Sequence, residues 1–301
     1  MSKETTVVII GAGPAGLSAA FQLKRFRIPF ILFEKESIGG LLRNAGSVEN
    51  YPGFPLGIPG WELARLMSSQ AEKSGLKIIY EKVESISFKA DKFLIHTPDR
   101  FFLSRFLVVA SGTKAKILDP AFYQDEVQGK IYTEIHIVRA VKDKIIGIIG
   151  GGDAAFDYSL TLSARNHVVI FNRSKHVKCI PDLFEKAKAA KNIEYKPERT
   201  LKAVYSNNNK RLRTIFVHDS NEEEHCLDLL VTAIGREPAV DFLSEQIRSK
   251  KNRLESDGRL YFIGDVKNGP FRQLAIASGN GVECAMKINN LRLFNNTSFR
   301  L

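Results

Sequence analysis

Two glycine-rich turns are the places where this sequence could hold phosphate groups. Residues 11–16 have the spacing G-x-G-x-x-G and residues 150–155 have G-x-G-x-x-A, each directly after a run of β-branched residues. In such a turn the first glycine allows a tight bend, the second admits a pyrophosphate, and the third small residue lets helix and strand pack closely. The positive end of the next helix then faces the phosphates. Two such turns predict two bound dinucleotides.

The residues that end the strand after each turn predict which nucleotide each turn prefers. Glu34 follows the strand 31–33, where a carboxylate accepts hydrogen bonds from a ribose hydroxyl. At the matching place in the second half stand Asn172, Arg173, Ser174 and Lys178, which bring two cations and no acid. Two cations favour a 2′-phosphate and therefore NADPH. NADH stays as the alternative.

Hydrophobic periodicity predicts the elements that position these residues. Strand 7–10, a helix through Leu23 and strand 31–33 form one βαβ unit; strand 145–149, a helix through Leu162 and strand 168–171 repeat it. Strands 76–80, 83–88, 93–96 and 101–103 are predicted to form a small antiparallel layer. Other predicted elements are helices 61–73, 183–190 and 275–286, and strands 106–110, 194–219 (around a polar turn at residues 206–209), 226–235 and 261–263. The tail 289–301, with Phe294 and Phe299, is expected to fray or to cover the ligand or a dimer partner.

Composition limits the class of protein. A chain of 301 residues with 44% hydrophobic content is long enough for about two domains. It has no apolar run of 18 residues, which predicts no membrane span. Its first strand begins near the N-terminus with no signal-like segment, so we expect a cytoplasmic protein. Three scattered cysteines form no C-x-x-C pair, disulfide framework or metal-ligand cluster, so we expect no metal site.

Positive charge is concentrated in the second half of the chain. The formal net charge is +11, and residues 165–213 hold thirteen Lys and Arg against four Asp and Glu, a balance of 13 − 4 = +9. A basic face predicts an acidic partner. A solvated face with a few phosphate-binding cations is the alternative. Nucleic acid is disfavoured because the stretch contains no known binding module.

Taken together, the motifs resemble the low-molecular-weight thioredoxin reductase family. The resemblance lies in Glu34, the stretches 39–42 and 48–55, the strand end 110–113, Gly264 with Asp265, and Arg272 with Gln273, all in the family's order. It implies an α/β fold with two Rossmann-like dinucleotide-binding domains, the second inserted in the first. Residues 1–114 and 236–301 would form the FAD-binding domain, and residues 115–235 the NAD(P)-binding domain. The family is commonly homodimeric.

The resemblance also implies which residues bind each cofactor. For FAD these are Gly11, Gly13, Pro14, Ala15, Gly16, Glu34, Lys35, Gly40, Leu41, Asn50, Val83, Ala110, Gly112, Gly264, Asp265, Arg272, Gln273 and Leu274. For NADP, or alternatively NAD, they are Gly150, Gly152, Asp153, Ala154, Ala155, Asn172, Arg173, Ser174, Lys178, Ile234 and Gly235. A flavin together with a nicotinamide nucleotide implies hydride transfer.

One departure from the family removes its usual substrate. Thioredoxin reductases carry a redox C-x-x-C shortly before the second glycine turn, where this sequence has Thr133, Glu134, Ile135 and His136. Without thiols at that place the chain cannot relay electrons to thioredoxin by dithiol exchange. His136 is a candidate proton donor, and an ordinary surface or half-buried histidine is the alternative.

The favoured hypothesis is therefore an FAD-dependent NAD(P)H oxidoreductase that exchanges electrons with a small acidic carrier, a ferredoxin or a flavodoxin. The alternatives are a small-disulfide reductase of the bacillithiol type, an NAD(P)H oxidase or diaphorase, and a redox sensor that binds both nucleotides without turnover.

Overall fold

The structure, a computed structural model, describes residues 3–207 and 211–297. The strands in these ranges are β1 Lys3–Ile10, β2 Phe30–Phe33, β3 Ile78–Ile79, β4 Ser85–Lys89, β5 Lys92–His96, β6 Phe101–Val109, β7 Thr113–Ala115, β8 Ile131–Tyr132, β9 Ile145–Ile149, β10 His167–Asn172, β11 Ile193–Pro197, β12 Thr200–Ser206, β13 Leu212–His218, β14 Asn221–Leu227, β15 Leu229–Thr232, β16 Arg236–Pro238 and β17 Leu260–Phe262. The α-helices are α1 Pro14–Arg25, α2 Gly60–Lys73, α3 Asp153–Ser163, α4 Pro181–Ala189, α5 Glu245–Ser249, α6 Lys251–Ser256 and α7 Leu274–Thr297.

The chain divides into two compact units. The first comprises Met1–Arg43, Glu49–Lys114 and Glu237–Leu301, and the second comprises Asn44–Val48 and Ala115–Arg236. The second unit also takes in five residues of the loop after β2. The expected domain bounds placed those five residues and Arg236 in the first domain, so the observed division differs from them at these two points.

A seven-stranded sheet organises the first unit. Its order is β3-β2-β1-β6-β5-β4, with β17 also paired to β6. The strands β3, β2, β1, β6 and β17 are parallel, whereas β5 and β4 are antiparallel additions. On one face, alternate residues such as Val7 and Ile9 form a core with α1 and α7. On the other face, Val8 and Ile10 pack with β4, β5 and α5. Because residues 7–10 of β1 are covered on both faces, they form a continuous apolar run.

Two predictions about this sheet were wrong. Residues 101–109 form one strand, β6, because β1 pairs with it over residues 102–109, while β5 pairs with its first half and β17 with its second half. Ser104, which lies between the two predicted strands, is fully buried within β6. Residues 78–79 were expected in the antiparallel layer, but they extend the parallel part of the sheet beside β2.

The second unit repeats the parallel arrangement. Its five strands run β11-β10-β9-β15-β8, all parallel, and α3 and α4 pack on the sheet around Phe156. A separate antiparallel sheet has the order β12-β13-β14. Residues 226–235 were expected as one strand, but β14 ends at Leu227, β15 runs from Leu229 to Thr232, and the chain breaks between them at Asp228. The carboxylate of Asp228 accepts from Ile145 N at 2.8 Å and pairs with Arg211.

The C-terminal helix is longer than expected. Helix α7 continues to Thr297, so residues 289–297 are helical rather than frayed. The Phe294 side chain, Phe299, and residues 208 and 209 of the predicted turn 206–209 lie outside what the structure describes. In the described part of the chain, no helix combines the length and the apolar character needed to cross a bilayer.

Candidate functional site

The first glycine turn is built by close backbone contacts and is open on one side. Gly11 has a φ of +104°, and a Cβ there would lie 2.5 Å from the carbonyl oxygen of Ala110. A Cβ on Gly16 would lie 1.9 Å from Gly11 O, whereas a Cβ on Gly13 would meet nothing within 4 Å. Pro14 begins α1, whose first turn carries no acid. The free N–H groups of that turn therefore border an open space suited to an anion.

Three further glycines lie close to the same turn. The loop after β2 returns to it, where Gly39 N donates to Ala12 O at 3.0 Å. A Cβ on Gly40 would lie 3.7 Å from Gly13 Cα, in ordinary contact distance. Gly112, just beyond β6, has a φ of +65° and open space at its Cβ position. Backbone rather than side chains therefore lines this end of the parallel strands.

Glu34 is fixed beside the first turn by two backbone amides. One carboxylate oxygen accepts from Ala12 N at 2.8 Å and the other from Glu36 N at 2.9 Å. The residue is only 8% exposed. A carboxylate has about four acceptor positions, so these two bonds leave capacity for hydroxyl donors. The two hydrogen bonds thus orient the Glu34 carboxylate and leave acceptor positions for the hydroxyl groups of a ribose.

Asn50 and Gln273, predicted to bind the flavin ring, form a pair. Asn50 Nδ2 donates to Gln273 Oε1 at 2.8 Å, and both side chains are exposed. Gln273 immediately precedes α7, and its carbonyl accepts from Ala277 N at 2.9 Å. Arg272 is half-buried next to it. Amide and guanidinium groups therefore stand at the positive end of a long helix.

Gly264 and Asp265 lie on a short turn that α7 holds. A Cβ on Gly264 would lie 2.8 Å from Ala15 Cβ, so this turn packs against the start of α1. Gly264 N donates to Asn280 Oδ1 at 3.2 Å, and Asn268 Nδ2 donates to the same oxygen at 3.0 Å. Sequence reasoning missed Asn280. Its position two helical turns after Gln273 was the available signal.

The other residues predicted for FAD have varied surroundings. Val83 is buried in the core beside Ile10, whereas Lys35 is exposed and pairs with Glu36 at 3.3 Å. Ala15 and Ala110 are buried in the core on the α1 side of the sheet. Leu41 and Leu274 are half-buried.

The second glycine turn has the same construction as the first. Gly150 N donates to Phe171 O at 3.0 Å, as Gly11 N donates to Phe33 O at 2.8 Å. A Cβ on Gly150 would lie 2.7 Å from Ala233 O and 3.1 Å from Ala155 Cβ, and a Cβ on Gly152 would meet nothing within 4 Å.

Residues next to the second turn have distinct environments. Asp153 begins α3 and accepts from Ile180 N at 2.8 Å. Ala154 is exposed, Ile234 is 39% exposed, and Gly235 has a φ of +118°. The predicted residues of the second site therefore meet at the carboxyl ends of β9, β10 and β15.

Asn172 organises the loop that follows β10. Its Nδ2 donates to His176 O at 3.2 Å and to Tyr195 Oη at 3.0 Å, and its Oδ1 accepts from Ser174 N at 3.2 Å. It is 5% exposed and lies against Gly151, where a Cβ would clash at 2.6 Å. Both of its N–H donors are used. Asn172 therefore shapes the loop and has no donor left for a phosphate.

The cations of that loop remain exposed. Lys178 N donates to Gly151 O at 2.7 Å, which fixes the loop against the glycine turn. The side chains of Arg173, Lys175 and Lys178 are exposed, and within the described ranges none of the three forms an ion pair. A ligand phosphate at the end of β10 would therefore meet exposed cations that are available for ion pairing.

Half of the expected basic face is neutralised. Of the twelve cations in the described part of this segment, six form ion pairs, and five of these six lie on or beside the β12–β14 sheet and β11. The partners Glu222, Glu223, Glu224 and Asp228 follow the segment over which charge was counted. The local balance of +9 therefore overstated the free positive charge.

A polar cluster occupies the place of the family's dithiol. Arg236 Nη1 and Glu134 Oε1 are 2.8 Å apart, and their side chains are only 17% and 19% exposed. Glu134 also accepts from Asn44 Nδ2. Tyr158 is buried close by; burial, together with the Glu134 charge, raises the pKa of its hydroxyl. His136 is half-buried and bonded to Asn44.

The three cysteines give no replacement for that dithiol. Cys179 is half-buried, Cys226 exposed and Cys284 buried, and all three are free thiols. Burial, with the nearby charge of Asp153, raises the pKa of Cys179 to about 11. Burial also raises the pKa of Cys284. Both groups are therefore protonated, and poor nucleophiles, near neutral pH.

Comparison with known proteins agrees with this geometry. The family model described as pyridine nucleotide-disulphide oxidoreductase matches residues 5–281. A 34.2 kDa protein in a rubredoxin operon of Clostridium pasteurianum is 29% identical over 94% of this chain and 96% of its own. A thioredoxin reductase of Chlamydia trachomatis is 27% identical over 93% and 96%. The crystal structure of the T. acidophilum thioredoxin reductase superposes with a TM-score of 0.84, at 25% identity over 97% of this chain and 99% of that one.

Proposed function

Because this chain belongs to the pyridine nucleotide-disulphide oxidoreductase family and is an FAD-dependent oxidoreductase, we propose that it passes electrons between NADPH and a small acidic carrier of the ferredoxin or flavodoxin kind. One observation carries the proposal. Two complete glycine turns are present, whereas the dithiol that would consume the electrons is replaced by the ion pair of Glu134 and Arg236.

The first unit has the features that FAD requires. Open space at Gly13 and Gly112 admits a pyrophosphate, and Glu34 is oriented for a ribose. Asn50 and Gln273 offer donors and acceptors to a heterocyclic ring edge. Arg272 and the start of α7 supply positive potential at the same place. FAD, when bound, accepts an electron pair and can release electrons singly.

The second unit has the features that a nicotinamide nucleotide requires. Gly152 leaves room for the pyrophosphate at the start of α3. Asn172 holds the loop in which Arg173 and Lys178 are exposed without ion-pair partners among the described residues. A 2′-phosphate carries the charge that these cations would bind. These residues support NADPH over NADH.

A one-electron carrier fits this chain better than a disulfide substrate. Reduction of a disulfide by exchange needs a thiolate, and the thiols of Cys179 and Cys284 have raised pKa values. The net charge of +11 favours encounter with an acidic protein. The relative in a rubredoxin operon is further support for a small redox protein as partner.

We also propose that the protein is a homodimer. Helix α7 has a second apolar stripe opposite the one that packs on α1, in which Val282, Met286 and Leu293 are 39%, 50% and 57% exposed. Their spacing of four and seven residues places them on one helix face. Sedimentation of the protein and of Met286→Lys tests this part, because a charge on that stripe should yield monomers.

Anaerobic stopped-flow spectroscopy tests the electron-transfer proposal. The purified yellow protein is mixed with NADPH or NADH, and the reduced form is then mixed with a ferredoxin, a flavodoxin or a small disulfide. We expect faster bleaching with NADPH, followed by reoxidation by the acidic carrier that slows as salt rises. Bleaching without reoxidation by either carrier would contradict the proposed acceptor. No bleaching with either nucleotide would contradict the proposed donor.

A further inference from the structure

Five residues of the loop after β2 belong to the second unit, although the chain on both sides of them belongs to the first. Asn44–Val48 leave the first unit after Arg43 and return to it at Glu49. Asn44 is only 3% exposed. The next stretch of chain carries Asn50, which bonds to Gln273.

The contacts of Asn44 leave one arrangement for its amide. Asn44 Oδ1 accepts from the backbone N–H of His136 at 3.1 Å, and a backbone N–H can only donate. The Nδ2 end therefore faces the Glu134 carboxylate, to which it donates. His136 Nδ1 lies 2.9 Å from the same Oδ1, so this ring nitrogen carries a proton.

Gly46 adds a second attachment. Its N–H donates to both carboxylate oxygens of Asp157, at 3.2 and 3.0 Å. A Cβ on Gly46 would lie 2.2 Å from Thr161 Oγ1 and 2.8 Å from Asp157 Oδ1. Only glycine fits this close approach to α3.

Glu134 joins two separate stretches of chain. One carboxylate oxygen of Glu134 accepts from Asn44, in the segment 44–48. The other accepts from Arg236, the last residue of the second unit before the chain returns to the first. Both places are crossings between the units. We propose that Glu134 is a positioning residue of the second unit that fixes both places, the segment 44–48 and Arg236.

Hydrogen exchange measured by mass spectrometry on the protein as purified tests this inference without any activity assay. In Glu134→Gln, we expect amides of residues 44–48 and 232–240 to exchange about ten- to hundredfold faster, since charge-assisted hydrogen bonds are lost at both places. Amides of β9 and β10 should be unchanged. Glu194→Gln is the control, because it removes an exposed ion pair of the same unit, that of Glu194 and Lys196.

A double variant in which the acid and the amide change places distinguishes positioning by Glu134 from general stabilisation of the second unit. The double variant Asn44→Asp with Glu134→Gln keeps a carboxylate opposite an amide and keeps an acceptor for His136, but it removes the charge facing Arg236. Protection should return at residues 44–48 and not at 232–240. Unchanged exchange in Glu134→Gln, equal acceleration throughout the second unit, or no difference between the two crossings in the double variant would each overturn the inference.

Discussion

Asn50 Nδ2 and Gln273 Oε1 lie 2.8 Å apart although 223 positions separate the two residues in the chain. One residue stands in the loop before α2 and the other directly before α7. Asn50 and Gln273 were predicted separately to bind the flavin ring. In the first unit they form a single hydrogen-bonded pair.

This pair predicts coupled effects on FAD affinity. Asn50→Ala and Gln273→Ala should each weaken FAD binding about three- to tenfold, because one exposed hydrogen bond and one ring contact are lost. The double variant should be little worse than either single variant, because the residues act as a unit. Titration of the apoprotein with FAD measures this, with Asn221→Ala as a control. Additive effects would show that the two residues act independently.

Two glycines of one turn should respond differently to the same substitution. Gly16→Ala places a Cβ 1.9 Å from Gly11 O and should lower the free energy of unfolding by about 1–3 kcal/mol. Gly13→Ala meets no neighbouring atom within 4 Å and should leave stability unchanged. It should nevertheless weaken FAD binding by at least about tenfold, equivalent to ~1.4 kcal/mol. Urea denaturation of the apoproteins and FAD titration separate the two effects. A large loss of stability in Gly13→Ala would contradict the assignment of its open side.

Local patterns predicted the parts of the fold that depend on neighbouring residues. The turns at Gly11 and Gly150, and the helices after them, follow from spacing within about 30 residues, which is the length of a βαβ unit. Strand β6 was predicted as two strands in error. It is continuous because it pairs with β1 over residues 102–109, and this pairing between segments distant in sequence is not visible in a local pattern.

The parts of the candidate site that could not be predicted depend on contacts distant in sequence. Asn172 faces inward because Tyr195 accepts one of its protons. Asn44 was passed over because its partner, Glu134, lies 90 positions away. The basic segment was overestimated because the acids that neutralise it follow the segment and come beside it only when β14 pairs with β13.

The loop after β10 should discriminate between the two nicotinamide nucleotides. Arg173→Ala and Lys178→Ala should each raise KM for NADPH about ten- to hundredfold, because a charge-assisted hydrogen bond to the 2′-phosphate is lost. KM for NADH should change little. Lys188→Ala, which removes an exposed cation from α4, is the matched control. Steady-state kinetics with both nucleotides measures the difference, and an equal rise in both KM values would contradict a 2′-phosphate contact.

The ion pair of Arg199 and Glu223 predicts a pH dependence of stability. Hydrogen bonds from Arg199, which is 2.8 Å away, hold the pKa of Glu223 below its ordinary value of 4.5. At this carboxylate the folded state therefore binds fewer protons than the unfolded state. The stabilisation by the ion pair is complete above pH 4.5 and is lost as the pH falls through the lower folded pKa.

Glu223→Gln should lower the free energy of unfolding by about 0.5–1 kcal/mol at pH 7, and this difference should shrink below pH 4.5. Urea denaturation at several pH values measures it. The exposed pair of Glu224 and Arg213 supplies the control, Glu224→Gln, which should change stability less.

The cysteines should be dispensable for reduction of a one-electron carrier. The triple variant Cys179→Ser, Cys226→Ser and Cys284→Ala should reduce a ferredoxin or flavodoxin at a rate within about twofold of the parent, because two thiols have raised pKa values and no pair lies at the dithiol position. Ala is chosen at position 284 because the thiol is buried and a hydroxyl there would have no water to hydrogen-bond with.

Stopped-flow reoxidation of the NADPH-reduced protein measures the rate, and the parent mixed with a small disulfide is the comparison. If the parent reduces the disulfide rapidly and the triple variant does not, the electrons leave through a cysteine, and the disulfide-reductase alternative would replace the carrier proposal.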